Sequence, residues 1–172
     1  KHTNFDLNKI ESLKKYFIEW DNLLLEKNKV QLFYHWSAFT DINDKPASNP
    51  PWGRIVSMDI NTGKIIWKKN IGKLNDNEDF NNMTGTLNYG GVALSSGGIL
   101  FATGTSDNYV YALNSKNGKL LWEYKMNAAG SSPPILYEVD GNQYMSVIST
   151  GGSYYEYKDK DSVLYTFALD EK

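Results

Sequence analysis

The sequence predicts an all-β fold, because short strand-like segments alternate with glycine turns and one such unit is repeated. Asn117-Gly118 and Asp140-Gly141 are typical hairpin turns, since glycine accepts the positive φ that these turns require. Aromatic residues, which favour strands, make up 14% of the chain. The predicted strand-like segments are 54–59, 64–69, 91–95, 99–103, 109–114, 119–125, 134–139, 143–149 and 163–169.

The repeat narrows the fold class further. Residues 57–67 align without gaps with residues 112–122, which places Trp67 and Trp122 55 positions apart. A truncated third copy at residues 165–170 matches 109–114, with Ala168 lying 56 positions after Ala112. Repeats of this length that supply four short strands each are typical of propeller blades. The prediction is a partial β-propeller of four-stranded antiparallel blades, about two and a quarter of them.

Each position of the repeat has a physical reason. A small residue, Ser57 or Ala112, leaves room on its strand. Asp59 and its counterpart Asn114 start a turn by bonding their own backbone, and a glycine completes that turn. The tryptophan that ends the unit can then pack against the neighbouring blade. Trp67 and Trp122 are therefore interpreted as structural residues and not as the floor of a cofactor site.

The N-terminal segment has a different pattern. Residues 8–27 are predicted to form an amphipathic helix, because apolar side chains recur at steps of three and four. Its apolar stripe is Ile10, Leu13, Phe17, Trp20 and Leu24. The stripe docks onto a sheet or binds a partner, and the sequence leaves both open. The predicted domains are a helical segment at 1–30 and propeller blades at 31–172.

Composition excludes several classes of function. The chain has no cysteine, which excludes disulfides, thiol nucleophiles, Cys-ligated zinc and c-type haem attachment within it. The formal net charge is −2 and no basic run occurs, so nucleic acid is not a predicted partner. No apolar run approaches the length of a membrane-spanning helix, and no signal peptide opens the chain.

Motifs outside the repeat add a family resemblance. From Phe39 to Asp170 the chain carries one collinear set of motifs that resembles the C-terminal part of quinoprotein dehydrogenases of the membrane-associated glucose- and alcohol-dehydrogenase type. Residues 1–38 lie outside this resemblance. The motifs are Phe39-Thr40-Asp41, Lys45-Pro46-Ala47, Pro50-Pro51-Trp52-Gly53, Thr84 to Gly91, Ser96 to Phe101, Asp107-Asn108-Tyr109, Asn127 to Gly130, Pro133-Pro134 and Tyr137 to Tyr144.

The resemblance implies an eight-bladed propeller enzyme with a tryptophan-docking repeat. Such enzymes bind pyrroloquinoline quinone (PQQ) and Ca²⁺ or Mg²⁺, oxidise a sugar or alcohol, and pass electrons to a quinone or cytochrome. It also implies a periplasmic location, with membrane association through an upstream segment. By the same resemblance, the catalytic carboxylate, the metal ligands and the stacking tryptophan lie in earlier blades, so no catalytic or metal-binding residue is assigned to this chain.

One motif is predicted to bind the cofactor in the parent protein: Asn88, Tyr89 and Gly90. It precedes the predicted first strand of the complete blade, and first strands line the propeller axis. The Asn88 amide can donate to a carboxylate of the cofactor, and the glycines permit close backbone approach. The alternative is a structural turn in which Asn88 bonds its own backbone.

Other polar residues are weaker candidates. His2 and His35 have no partner pattern. Asp76, Asn77, Glu78 and Asp79 lack EF-hand spacing and are interpreted as a solvated loop, as are Asp159 to Asp161.

Two alternative functions remain open for the chain. The chain is either part of a PQQ-dependent dehydrogenase or a non-catalytic propeller scaffold of the cell envelope. Two open flanks are also expected, so the remainder of the propeller or a second chain would complete it. The isolated chain is predicted to have no dehydrogenase activity.

Overall fold

The computed structural model describes residues 39–43, 45–152 and 159–168. The chain divides into two compact units, Lys1–Thr40 and Asp41–Lys172. The predicted N-terminal helix and both histidines lie outside the described residues. All nine strands of the described part belong to the second unit.

These strands form three antiparallel sheets. The first sheet pairs β1 (Arg54–Met58) with β2 (Ile65–Asn70). The second has the order β3 (Asn88–Leu94), β4 (Ile99–Thr105), β5 (Tyr109–Asn114) and β6 (Leu120–Lys125). The third has the order β7 (Ile135–Val139), β8 (Asn142–Ser149) and β9 (Val163–Ala168). Sheets of two, four and three strands confirm the predicted partial propeller.

The repeat folds the same way in both complete copies. Ser57 lies opposite Trp67, and Ala112 lies opposite Trp122, and the register shifts directly after each small residue. Gly63 and Gly118 adopt nearly equal φ values of 68° and 69°, and each donates its backbone N–H to the carbonyl four residues earlier at 2.8 Å.

The side chains that open these turns also match. Asp59 Oδ1 accepts from Asn61 N at 2.8 Å, and Asn114 Oδ1 accepts from Lys116 N at 2.9 Å. The local chemistry predicted for the repeat is thus confirmed in both hairpins.

Two hydrophobic clusters hold the sheets together. One joins the second sheet to the connection between β2 and β3, and its buried members are Ile71, Phe80, Met83, Tyr111 and Leu113. The other joins the second and third sheets, and its buried members are Val110, Met126, Met145 and Val147. The side chains of β5 alternate between the two clusters, because successive strand residues point to opposite faces. The second sheet is therefore the central layer of the described fold.

Candidate functional site

The predicted cofactor motif lies within β3, at an edge of the second sheet. The prediction that Asn88, Tyr89 and Gly90 precede this strand is wrong, because β3 already begins at Asn88, which pairs with Thr105. The pairing then shifts, and the next paired residue is Gly91, opposite Thr103. Gly91 has a φ of 81°, which lets the strand bend at this bulge.

The Asn88 side chain organises this bulge. Its Oδ1 accepts hydrogen bonds from Gly90 N at 3.0 Å and from Gly91 N at 3.4 Å. This is the backbone bonding expected of a structural turn. Both bonds engage Oδ1, which leaves the Nδ2 amide group as a donor without an acceptor among the described residues. The oxygen therefore fixes the orientation in which the amide nitrogen is presented.

Gly90 lacks a side chain because neighbouring backbone packs closely against it. A β-carbon at this position would lie 2.4 Å from the carbonyl oxygen of Gly130 and 2.5 Å from the backbone of Thr103. The space that the missing side chain opens is thus filled by neighbouring backbone. Tyr89, in contrast, is 41% exposed. Asn88 is thus the residue of the motif whose side-chain nitrogen could donate to a ligand, and contact of Asn88, Tyr89 and Gly90 with a cofactor stays a prediction.

The same edge connects the second sheet to the third. Thr103 Oγ1 donates to the Ser132 carbonyl at 3.0 Å, and a β-carbon on Gly91 would touch the Pro133 ring at 3.2 Å. β3 and β7, the first strands of their sheets, lie side by side here. The predicted motif therefore lies where two sheets meet at their inner edges.

A polar network links the segment between β2 and β3 to the second sheet. The sequence analysis did not predict it. Lys73 Nζ lies 2.8 Å from Glu123 Oε1 on β6, and the Lys73 backbone N–H donates to Asp107 Oδ2 at 2.6 Å. Asp107 also accepts from the Tyr111 hydroxyl. Lys73 lies 34 positions from Asp107 and 50 positions from Glu123, so only the fold brings the lysine to these two carboxylates.

The charges of this network are partly desolvated. Only 10% of the Lys73 side chain and 31% of that of Glu123 are exposed. Burial by itself lowers the pKa of Lys73, but the hydrogen bond and charge of Glu123 outweigh it and leave the pKa above its ordinary value. Burial, together with the Asp107 carboxylate, raises the pKa of Tyr111 far above its usual range. The surroundings thus favour the charged form of Lys73 and the neutral form of Tyr111, a combination suited to structural support.

The acidic loop is more ordered than a solvated loop requires. Glu78 Oε2 accepts from the backbone N–H groups of Leu74 and Thr84, each at 3.0 Å, and Oε1 accepts from the Thr84 hydroxyl at 2.5 Å. Asp79 Oδ1 accepts from Asn81 N at 2.7 Å. The acidic side chains therefore close the loop on itself. Within the described ranges, no group of three or more His, Asp or Glu residues is placed to hold a metal ion.

Asp159 is exposed, which agrees with its interpretation as part of a solvated turn, and it also has one defined contact. Asn108 Nδ2 donates to Asp159 Oδ2 at 2.6 Å, and Asn108 itself is 94% buried with a φ of 67°. The contact ties the β8–β9 connection to the second sheet. Asn108 and Asp159 lie 51 positions apart, so no local sequence pattern reveals their contact.

Comparison with known proteins connects this architecture to one family. The family model for the glucose/ethanol/alcohol dehydrogenase β-propeller domain, PQQ, matches residues 8–145. The match includes the predicted helical segment, so the family likeness begins well before Phe39, where the sequence motifs placed its start. No helix among the described residues is long and apolar enough to cross a membrane.

Individual relatives agree with the family match. Quinoprotein glucose dehydrogenase A of Acinetobacter calcoaceticus is 33% identical over 78% of this chain and 17% of its own length. Quinoprotein glucose dehydrogenase of Escherichia coli strain K12 is 40% identical over 62% of this chain and 14% of its own length. This chain therefore spans less than a fifth of either relative.

The fold also occurs among solved structures. The quinohemoprotein alcohol dehydrogenase from Comamonas testosteroni superposes with a TM-score of 0.54 at 24% identity. The superposition covers 74% of this chain and 18% of that protein.

Proposed function

Because this chain belongs to the family of glucose/ethanol/alcohol dehydrogenase β-propeller domains, we propose that it forms part of a PQQ-dependent dehydrogenase. The enzyme would oxidise a sugar or an alcohol and pass the electrons to a quinone or a cytochrome. The family match over residues 8–145 carries this proposal. The matching turn geometry of the two repeats supports it, because both hairpins have the form that stacked blades require.

In this proposal the chain forms structural blades of the propeller, and the groups that take part in the reaction lie elsewhere in the protein. By the family resemblance, the Ca²⁺ or Mg²⁺ ion of the parent protein would be held by other blades. The catalytic carboxylate would lie there as well. The isolated chain is accordingly expected to be inactive, while the protein that contains it is expected to turn over.

The residues that would face PQQ are Asn88 and Tyr89. PQQ is a carboxylated quinone, and when bound it accepts the electrons of the donor. The Asn88 amide nitrogen would donate a hydrogen bond to a cofactor carboxylate, in an orientation fixed by the two N–H groups that its Oδ1 accepts. Gly90 would contribute indirectly, because it lets β3 approach the backbone at Gly130 closely enough to hold this edge in place.

Both outer sheets carry apolar faces that further blades would cover. On the third sheet, Ile135, Ile148 and Leu164 are 61%, 49% and 62% exposed. On the first sheet, Val56 and Met58 are 48% and 57% exposed, on the face opposite Trp67. Exposed apolar patches of this kind mark interaction surfaces. Their proposed partner is the remainder of the propeller, and a periplasmic location is proposed with it.

The test is reconstitution of the full-length polypeptide that contains this sequence. It is incubated with PQQ and Ca²⁺, and reduction of an artificial electron-acceptor dye is followed with glucose and simple alcohols as donors. Turnover that requires both PQQ and a donor is expected, and this chain alone under the same conditions should give none. Absence of turnover with every donor, in a protein shown to be folded, contradicts the proposal.

A further inference from the structure

Two turns of the chain carry dipeptides in which a backbone nitrogen can attack the preceding side chain. These are Asn117-Gly118, between β5 and β6, and Asp140-Gly141, between β7 and β8. Glycine favours the attack, because it has no side chain that would shield its nitrogen. Attack closes a succinimide ring, with loss of ammonia from an asparagine or of water from an aspartate. The two turns therefore hold the same chemistry in different surroundings.

The fold restrains this reaction at Asn117-Gly118. The attacking nitrogen, that of Gly118, donates its hydrogen to the Asn114 carbonyl at 2.8 Å. The side-chain oxygen of Asn117 accepts from Lys119 N at 3.0 Å. Gly118 is buried, and a β-carbon there would come within 2.8 Å of the Trp67 ring. Ring closure therefore requires that both hydrogen bonds break and that Gly118 moves away from Trp67.

The Asp140-Gly141 turn lacks these restraints. Both residues are exposed, and a β-carbon on Gly141 would find no atom within 4 Å. Among the residues that the structure describes, neither the Asp140 carboxylate nor the Gly141 N–H has a hydrogen-bond partner. Opening an exposed turn costs less free energy than opening a packed one, so the reacting atoms meet more often here.

We propose that Asp140 is a site of spontaneous isomerisation to isoaspartate, and that the fold protects Asn117 from deamidation. The Gly141 nitrogen bonds to the side-chain carboxyl carbon of Asp140, and the N–H proton leaves with the carboxyl OH as water. A water molecule then opens the ring at the main-chain carbonyl of Asp140, so that the chain runs through the side-chain carbons. The overall reaction gains and loses no atom and needs no oxidant.

The product has a longer main chain than aspartate. The β7–β8 turn has only two residues, because Val139 pairs directly with Asn142. The extra carbon atom therefore disturbs the end of this strand pair. The proposal does not depend on the proposed enzymatic function, since no cofactor or substrate takes part.

Peptide mapping of the full-length protein that contains this sequence tests the proposal. The protein is incubated at neutral pH, once folded and once unfolded in guanidinium chloride. Isoaspartate at Asp140 is detected by resistance to a protease that cuts before aspartate, and deamidation of Asn117 is detected by its mass increase. Folding should shift the ratio of the two rates toward Asp140 at least about tenfold, because only Asn117 is held by packing.

The matched variant is Asp140→Asn, which places an asparagine before glycine in both turns. Asparagine accepts the positive φ of 51° at this position, so the variant is expected to keep the fold. In the folded variant, position 140 should deamidate at least about tenfold faster than Asn117, and in the unfolded variant the two rates should be similar. Equal rates in the folded variant would overturn the proposal. Absence of isoaspartate at Asp140 in the folded wild type, after an incubation that produces it in the unfolded protein, would overturn it as well.

Discussion

The indole ring of Trp67 lies so close to Gly118 that a β-carbon on residue 118 would come within 2.8 Å of Trp67 Cε3. The ring belongs to the first sheet and the glycine to a turn of the second. The Trp67 indole nitrogen also donates to the Ser115 carbonyl of that turn. Two contacts thus fix one tryptophan on the neighbouring sheet, and both follow from the spacing of the repeat.

Replacing Gly118 should destabilise the protein more than replacing its counterpart Gly63. Both glycines have a φ near 68°, so alanine at either position costs about 1–2 kcal/mol in backbone strain. Only at Gly118 does the new methyl group meet the Trp67 ring, and overpacking of this kind adds about 1–3 kcal/mol. Urea denaturation of Gly118→Ala and Gly63→Ala measures the difference directly. Equal destabilisation by the two variants would show that the ring is not held against the turn.

The ion pair between Lys73 and Glu123 should give a measurable coupling energy. Lys73→Met leaves the Glu123 carboxylate partly buried without its cation, and one of its oxygens, Oε2, already lacks a partner among the described residues. A double-mutant cycle of Lys73→Met and Glu123→Gln is expected to show a coupling of about 0.5–2 kcal/mol, reduced by the exposure of Glu123. The exposed pair Lys125–Asp76 is the matched control and should couple by less than about 0.5 kcal/mol. A coupling at Lys73 no larger than the control would contradict the interpretation of the network.

Acid should weaken the loop that Glu78 organises. Burial raises the pKa of this carboxyl, but hydrogen bonds from Thr84 and Leu74 outweigh burial, and the folded-state pKa falls below the ordinary value of 4.5. The unfolded chain therefore takes up the proton at a higher pH than the folded chain. The stabilisation is complete above pH 4.5 and is lost as the pH falls through the folded-state pKa.

Thermal unfolding of the wild type and Glu78→Gln measures this effect. The wild type is expected to have the higher Tm at pH 7, and the difference should shrink as the pH falls below 4.5. A difference that stays constant from pH 7 to the most acidic measurable condition would show that Glu78 ionisation does not support the loop.

The sequence predicted the parts of the fold that local chemistry determines. The Asp59 and Asn114 turns, the glycines that follow them and the small residues opposite Trp67 and Trp122 all depend on contacts within one hairpin. The sequence analysis placed the start of β3 too late, because Asn88-Tyr89-Gly90-Gly91 has the composition of a turn. Its pairing with β4 depends on a bulge, which Gly91 makes possible through its positive φ.

Long-range polar contacts escaped prediction for a different reason. Lys73 meets Asp107 and Glu123, and Asn108 meets Asp159, only after the sheets have stacked. None of these pairs has a spacing that a single sequence reveals. The binding role of Asn88, Tyr89 and Gly90 stays a prediction, and the close approach of Gly90 to the backbone of Gly130 was visible only in the structure.

The central claim is that β3 presents Asn88 to the cofactor of the parent enzyme. Asn88→Asp keeps the Oδ1 atom that accepts from Gly90 and Gly91 but replaces the donating amide with a second oxygen. The matched control is Asn114→Asp, because the equivalent turn at Asp59 already uses an aspartate in the same way.

The decisive measurement is the Kd for PQQ of the full-length protein and these two variants, determined by fluorescence titration in the presence of Ca²⁺. Asn88→Asp should bind PQQ about tenfold to a hundredfold more weakly, because it loses a hydrogen bond to a charged group and gains a repelling charge. Asn114→Asp should bind like the wild type. A folded Asn88→Asp variant that binds PQQ as tightly as the wild type would contradict the claim.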